Sequence, residues 1–238
     1  MALPKIATPT FRTTIPSTGQ EIEYRPFLVK EEKMLLMALE GQDGKEMTVA
    51  TKKILDACIM TPDVDIDKLA TFDVEYLFLQ LRGKSISEVI ELRVGHTDSV
   101  EGCDHKTDIN INIDDIKVED VRKDNKIMIT DQIGVVVRYP SMKDVLLLST
   151  NADDKEVAFN VISSCIDMVF DAENVYDDFS HEEMKAWLDG LNQKQFEKVS
   201  SFFDKIPKLK YDVKWTCKKC KKQDHFVLEG LQSFFTYL

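Results

Sequence analysis

The stretch KLKYDVKWTCKKCKKQDHFVL, residues 208–228, predicts a β-hairpin around a Cys-x-x-Cys turn. Apolar residues alternate with polar ones on both sides of the turn, which is the period of half-buried strands. Cys217 and Cys220 can supply two corners of a tetrahedron, whereas a structural zinc ion takes four nitrogen or sulfur ligands. The stretch therefore predicts half of a zinc site and requires the other half elsewhere in the chain.

The other half is predicted by the stretch ELRVGHTDSVEGCDHKTDINI, residues 91–111, which has the pattern of a second hairpin. Cys103 and His105 lie near its tip. We therefore predict a zinc site of Cys103, His105, Cys217 and Cys220, with His96 and His225 as alternatives to His105. Four protein ligands leave no position for water, so this zinc would be structural and not catalytic.

Two other interpretations of Cys217 and Cys220 stay open. A Cys-x-x-Cys pair can be a redox pair, but that motif belongs to a βαβ unit with a helix after it, whereas a strand follows here. The pair can also be two reduced thiols on a surface turn. The chain has five cysteines, an odd number, which favours a reducing compartment over a disulfide scaffold.

The composition is that of a globular protein: 238 residues, of which 43% are hydrophobic, suffice for one large domain or two small ones. No window approaches eighteen apolar residues and the N-terminus lacks a signal-peptide core, so we expect a soluble intracellular protein with no membrane partner. A net charge of −11 makes nucleic-acid binding an unfavoured function. Between Lys205 and Lys222, however, eight lysines accompany one acid. They either offset thiolate charge or form a patch for an acidic partner or nucleic acid.

Blocks of helical pattern alternate with blocks of strand pattern, which predicts an α+β fold with helical blocks and β-hairpins joined by the structural zinc site. Helix 65–83 should be the central buried helix, a further helix spans 153–170, and Ser180 with Glu183 forms a capping box. We predict a single domain with five segments: an N-terminal hairpin at 1–28, a helical block at 29–86, β-hairpins at 87–139, a helical block at 140–206, and the zinc hairpin with an apolar tail at 207–238.

The sequence contains none of the common catalytic motifs considered below. The segment from His181 to Lys185 begins like a zinc-protease helix, but Lys185 stands where the second histidine is needed. There is no Gly-rich phosphate loop and no Gly-x-Ser-x-Gly motif, and the four histidines form no nucleophile and base set. We therefore expect a protein that is not an enzyme.

Several segments, in their order along the chain, resemble one family. They are the two metal-type turns and the segments PTFRTTIPSTG at 9–19, YRPFLVKEEK at 24–33, LRGKSISE at 81–88 and LEGLQSFF at 228–235. Over nearly the whole chain they resemble the baseplate hub proteins of T4-like tailed bacteriophages. The resemblance implies a non-enzymatic hub subunit or hub assembly factor that acts by contacts with other baseplate and hub proteins. It also implies a location in the host cell cytoplasm during assembly and then in the virion tail baseplate.

The surfaces for such contacts are predicted at the two ends of the chain. The N-terminal tail and hairpin, and the aromatic C-terminus, are suited to edge pairing or to burial of aromatic side chains. A zinc-ribbon regulator that binds nucleic acid through the lysine-rich turn is the alternative function, and its affinity would fall steeply with salt. A thiol oxidoreductase that uses Cys217 and Cys220 is a third, weaker possibility.

Overall fold

The computed structural model describes residues 6–41, 44–96, 103–119, 121–122, 124–144, 154–230 and 233. The chain forms two compact units. The first comprises Met1–Ile66, Phe72–Glu119 and Lys208–Leu238, and the second comprises Asp67–Thr71 and Asp120–Pro207. The chain contains helices and antiparallel sheets, which confirms the predicted α+β class. The predicted hairpin segment 87–139 is divided between the units.

Within the described residues the helices are α1 (Val29–Gly41), α2 (Gly44–Cys58), α3 (Thr71–Ser85), α4 (Asp154–Ser164), α5 (His181–Asp189) and α6 (Gln193–Phe203). Short 3-10 helices occupy Ile66–Lys68 and Ile113–Asp115. The strands are β1 (Phe11–Thr14), β2 (Glu21–Tyr24), β3 (Val89–Val94), β4 (Thr107–Asn112), β5 (Lys117–Val118), β6 (Lys126–Met128), β7 (Gly134–Val137), β8 (Ile166–Phe170), β9 (Val175–Tyr176), β10 (Leu209–Thr216) and β11 (Gln223–Glu229).

The N-terminal hairpin is packed into the first unit. Strands β1 and β2 pair antiparallel with Phe11 opposite Tyr24, and Tyr24 is buried. Gly19 has a φ of +73° between the strands, a conformation that glycine adopts without strain. Ser17 donates hydrogen bonds from its N–H and its hydroxyl to the buried carboxylate of Asp73 on α3. The hairpin is thus fixed to α3 by its turn.

Glu31, at the start of α1, is a buried carboxylate with strong partners. It accepts hydrogen bonds from the Arg25 guanidinium at 2.9 Å and from the Leu28 N–H at 2.8 Å, and it is only 3% exposed. Burial by itself raises the pKa of Glu31, but these hydrogen bonds outweigh it and hold the pKa below its usual value. Arg25 also donates to the carbonyl of Ala57 on α2. The group therefore links the hairpin to both helices.

Helix α3 is the buried centre of the first unit. Ten of its residues are buried, because apolar residues occur on all its sides. This confirms the prediction of a central buried helix, although the helix begins at Thr71 and not near residue 65. Leu69, Ala70 and Thr71 make backbone contacts with the segment from Pro140 to Met142, and these contacts separate α3 from the preceding 3-10 turn.

The two hairpins that carry the predicted ligands share one core. Strand β3 pairs with β4, and β10 pairs with β11 and with β5. Helix α3 packs close to the end of β4, since a Cβ on Gly83 would lie 3.2 Å from the Ile113 side chain. The buried residues of this core are Leu79, Ile90, Leu92, Val94, Ile111, Ile113, Ile116, Leu209, Val213, Trp215, Cys217 and Leu228. The core brings the β3–β4 loop to the β10–β11 turn.

The second unit contains a sheet of order β6-β7-β8-β9 and the helices α4, α5 and α6. All four residues of β7 are buried. Its core is formed by Ile129, Val135, Val137, Ile162, Ile166, Val169, Met184, Leu188, Val199 and Phe202.

One helix prediction is wrong in its second half. The predicted helix 153–170 ends at Ser164, and Ile166–Phe170 form β8, which pairs antiparallel with β7. The apolar residues of this stretch fit a helical period, but a short apolar run does not distinguish a helix end from a buried strand. Pairing with β7 satisfies backbone groups that would otherwise be buried without partners, and it decides the conformation.

The capping box of Ser180 and Glu183 is confirmed, and Asn192 with Gln195 forms a second one at the start of α6. Residues 142–144 begin the helix predicted for 141–149, and the remainder lies outside the described residues. The predicted contact surfaces in the first five residues and in 234–238 also lie outside them. No helix in the described part of the chain combines the length and the apolarity that a membrane crossing requires.

Candidate metal centre

Four side chains converge where the β3–β4 loop meets the β10–β11 turn. His96 follows β3, Cys103 precedes β4, and Cys217 and Cys220 lie in the turn between β10 and β11. Each offers one donor atom, and these four atoms all lie within 4.8 Å of one another. One nitrogen and three sulfur donors are therefore gathered at one point of the first unit.

Two of the distances between donor atoms are close to the edges of a tetrahedral zinc site. Zinc takes sulfur at about 2.3 Å and imidazole nitrogen at about 2.0–2.1 Å, so the edges of its tetrahedron are about 3.8 Å for two sulfurs and about 3.6 Å for sulfur and nitrogen. The Sγ atoms of Cys103 and Cys217 are 3.7 Å apart, and Nε2 of His96 is 3.3 Å from Sγ of Cys220. A disulfide would need about 2.05 Å, and all five cysteines are free.

The structure brings together Cys103, Cys217 and Cys220 of the predicted set, but it does not bring His105. His96, an alternative considered from the sequence, is the fourth member of the group. Since Val94 pairs with Thr107, His96 arrives from the opposite arm of the hairpin.

The other two candidate histidines point elsewhere. Nε2 of His105 is buried and has no hydrogen-bond partner among the described residues. His225 is an exposed residue of β11, opposite Lys214 on β10. The register of the β3–β4 hairpin places His96 and His105 on opposite arms, and knowledge of it would have allowed a choice between them. The alternation of apolar residues in the sequence does not determine that register.

The orientation of His96 is set by two neighbours. Its Nδ1 lies 3.2 Å from Oδ2 of Asp224, and both side chains are almost fully buried, at 4% and 8% exposure. Its ring lies 5.2 Å from the ring of Trp215. An Nδ1–H that donates to the carboxylate leaves the Nε2 lone pair directed toward Cys220, which is the arrangement that commonly orients a metal-bound histidine. Asp224 cannot be identified from the sequence, because its contact with His96 depends on the packing of two distant hairpins.

The Cys217 turn supplies N–H donors to sulfur. Hydrogen bonds from the backbone of Cys220 and Lys219 lower the pKa of Cys217 from 9.0 to about 6, against the opposing effect of desolvation. The turn is closed by Cys217 N–H to the Lys222 carbonyl at 2.9 Å, and Lys221 has a φ of +62°. The same backbone that forms the tight turn therefore stabilises a thiolate.

Acidic residues partly neutralise the lysine-rich segment. Lys219 lies 3.4 Å from the carboxylate of Asp104, across the two loops, and Lys208 and Lys210 both pair with Glu229. These pairs are exposed, so each contributes little to stability.

Comparison with models of protein families gives a match over nearly the whole chain. The model of the family described as T4 bacteriophage base plate protein matches residues 8–236. Comparisons with the curated proteins and with the solved structures gave no match. The matched range includes parts of both units and all four residues of the cluster.

Proposed function

This chain belongs to the family of T4 bacteriophage base plate proteins, and from this premise we propose that it is a non-enzymatic structural or assembly protein of the baseplate hub. Its partners are then other baseplate and hub proteins. It is made in the host cell cytoplasm and acts in the tail baseplate of the virion. The match over residues 8–236, which supports a structural role in a phage baseplate, is the observation that carries this proposal.

We propose further that His96, Cys103, Cys217 and Cys220 hold one structural zinc ion. The observation behind this is that the four donor atoms lie within 4.8 Å of one another and that two of the distances between them are close to the edges of a zinc tetrahedron. Thiolate and imidazole are the ligands that zinc prefers in structural sites. Four protein ligands leave no open position for a substrate or water, so the ion would stabilise the fold and take no part in a reaction.

The role of the ion follows from the place of its ligands in the chain. Cys103 and Cys217 are 114 residues apart in sequence and lie on different hairpins. Zinc would tie the β3–β4 loop to the β10–β11 turn at their tips, beyond the core that already joins the strands. A protein that acts by contacts needs surfaces of fixed shape, and such an ion would fix the surface formed by the two tips.

The zinc proposal is tested by elemental mass spectrometry on protein purified without chelator. About one zinc per chain is expected for the wild type, and much less for Cys103→Ser and for His96→Ala. His105→Ala is the matched control and should retain zinc. Loss of zinc in His105→Ala but not in His96→Ala would overturn the ligand set, and absence of zinc in the wild type would overturn the site.

The hub proposal is tested in the phage that encodes the chain. Without this protein, tails should lack complete baseplates, and expression of the chain in the host should restore them. Mass spectrometry of purified tails then separates a hub subunit, which is present, from an assembly factor, which is absent. Complete baseplates in the absence of the protein would contradict the proposal. Tight DNA binding that weakens steeply with salt would favour the nucleic-acid alternative instead.

A further inference from the structure

The second unit contains an apolar groove that the metal cluster does not involve. Its cavity has a volume of about 440 Å³ and lies where β8 and β9 meet α5. The walls are the aromatic side chains of Phe170, Tyr176, Phe179 and Trp187, and the floor is formed by Val169 and Met184. A cavity of this size is within the range of sites that bind small ligands or single large side chains.

The aromatic walls are accessible and held in place. Tyr176 is 50% exposed, and Phe170, Phe179 and Trp187 are half-buried. Phe170 lies over Gly134 on β7, where a side-chain Cβ would find no room. In protein interfaces, a few aromatic residues around a buried apolar centre often contribute most of the binding energy, and this groove has such residues.

The rim of the groove is acidic. The sequence from residue 171 to residue 184 contains six acidic residues and no lysine or arginine. Asp171, Asp178 and Glu183 line the groove. Hydrogen bonds from the backbone N–H groups of Glu173 and Asn174 hold the pKa of Asp171 below its usual value, and the N–H of Ser180 does the same for Glu183. Both carboxylates are therefore ionised at neutral pH.

In the part of the chain that the structure describes, no lysine or arginine lies within salt-bridge distance of this rim. The acidic residues beside and within the groove form no salt bridge there with a lysine or arginine; they are Asp171, Glu173, Asp177, Asp178, Glu182 and Glu183. Such a field repels phosphates, which argues against nucleic acid at this face. It attracts a positively charged partner.

We propose that this groove docks a protein segment that places one large apolar side chain between the aromatic walls and an adjacent lysine or arginine against the acidic rim. The apolar side chain is transferred from water to the Val169 and Met184 floor, which drives binding. The neighbouring cation gains from the carboxylates and from the faces of the aromatic rings. The assignment of this segment to another tail protein rests on the function proposed above. The chemistry of the groove is independent of that function.

The proposal is tested with a library of random 12-residue peptides selected on the immobilised full-length chain. Peptides that pair tryptophan, phenylalanine or leucine with lysine or arginine should be enriched. A synthetic peptide of the enriched sequence, followed by fluorescence anisotropy, should bind about tenfold more weakly when salt rises from about 0.05 M to about 0.5 M, because salt screens the rim. The proposal would be overturned if acidic peptides were enriched, or if no peptide was enriched.

Matched variants locate the binding. Asp178→Lys and Tyr176→Ser should each weaken peptide binding about tenfold, as expected for a charge pair and an aromatic contact at one interface. Asp189→Lys reverses an exposed charge of α5 outside the groove, and Val175→Ser changes the exposed neighbour of Tyr176; both should bind as the wild type does. Circular dichroism confirms that each variant is folded. Equal binding by Asp178→Lys, Tyr176→Ser and the wild type would overturn the proposal. Self-association of the chain that is abolished by Asp178→Lys would also overturn it, since the groove would then be occupied by a second copy of the chain.

Discussion

Removal of the proposed zinc ion should destabilise the first unit and leave the second unit unchanged. The proposed ligands His96, Cys103, Cys217 and Cys220 all belong to the first unit. The second unit has its own core and contributes no ligand to the cluster. Chelation under reducing conditions therefore perturbs one unit selectively, and the size of the effect can be calculated.

The magnitude follows from the preformed geometry of the site. The four donor atoms already lie within 4.8 Å of one another, so binding requires little rearrangement. The lower end of zinc affinities in small zinc modules, about 10 kcal/mol, corresponds to a Kd of about 50 nM. Free zinc at about 50 μM is then in about a thousandfold excess over Kd, which stabilises the folded state by about 4 kcal/mol. For a unit of this size, that is a shift of about 10–15 °C in Tm.

The two tryptophans of the chain make the assay specific. Trp215 lies 5.2 Å from the ring of His96, and Trp187 lies in the second unit. A Trp187→Phe variant reports the first unit alone, and a Trp215→Phe variant reports the second. Thermal unfolding followed by fluorescence should show the shift only in the Trp187→Phe protein when chelator replaces zinc.

Two results would refute this reasoning. An unchanged Trp215 transition after chelation would show that the cluster contributes no stability. An equal shift at both tryptophans would show that the effect is not confined to the unit that holds the ligands. The His105→Ala variant is the control, and it should keep the full zinc-dependent shift.

Three further predictions concern single residues. Asp224→Asn removes the carboxylate that orients His96 and should weaken zinc binding about 10- to 100-fold, measured by competition with a chelator. Unchanged zinc affinity would show that Asp224 does not orient His96 for binding. Glu31 has a lowered folded pKa, so its carboxylate stabilises the fold above the unfolded pKa, and this stability is lost as pH falls through the folded pKa. Glu31→Gln should therefore be less stable than the wild type in urea at pH 7, and the difference should vanish toward pH 3; a constant difference would contradict this. Gly134→Ala would bring its methyl group against Phe170 and Met128, which must shift, and should cost about 1–3 kcal/mol, measured by urea unfolding at Trp187; an unchanged stability would contradict this.

The hairpins could be predicted from sequence because their signals are local. Alternating apolar residues and a polar turn determine each strand pair without information from the rest of the chain. Cys103, Cys217 and Cys220 were found for the same reason, since they lie in turns. The capping box at Ser180 is another local signal, and Asn192 with Gln195 offered an equally readable one at the start of α6.

The features that could not be predicted depend on long-range packing. The choice between His96 and His105 depends on which arm of the hairpin faces the β10–β11 turn, and Asp224 acts only after that contact forms. Strand β8 was predicted as helix because its partner β7 is more than twenty residues away. The acidic residues after β8 are visible in the sequence, but the groove beside them requires rings from β8, β9 and α5 together.

The two proposals assign different roles in assembly to the metal cluster of the first unit and the groove of the second. A closed ligand set acts through stability, so its loss should harm assembly only to the extent that the first unit unfolds, and lower temperature should compensate. The groove acts through a contact, so Asp178→Lys should harm assembly while the chain stays folded, and cooling should not restore it. A temperature-dependent defect thus identifies a stabilising residue, and a temperature-independent defect in a folded variant identifies a residue that binds a partner.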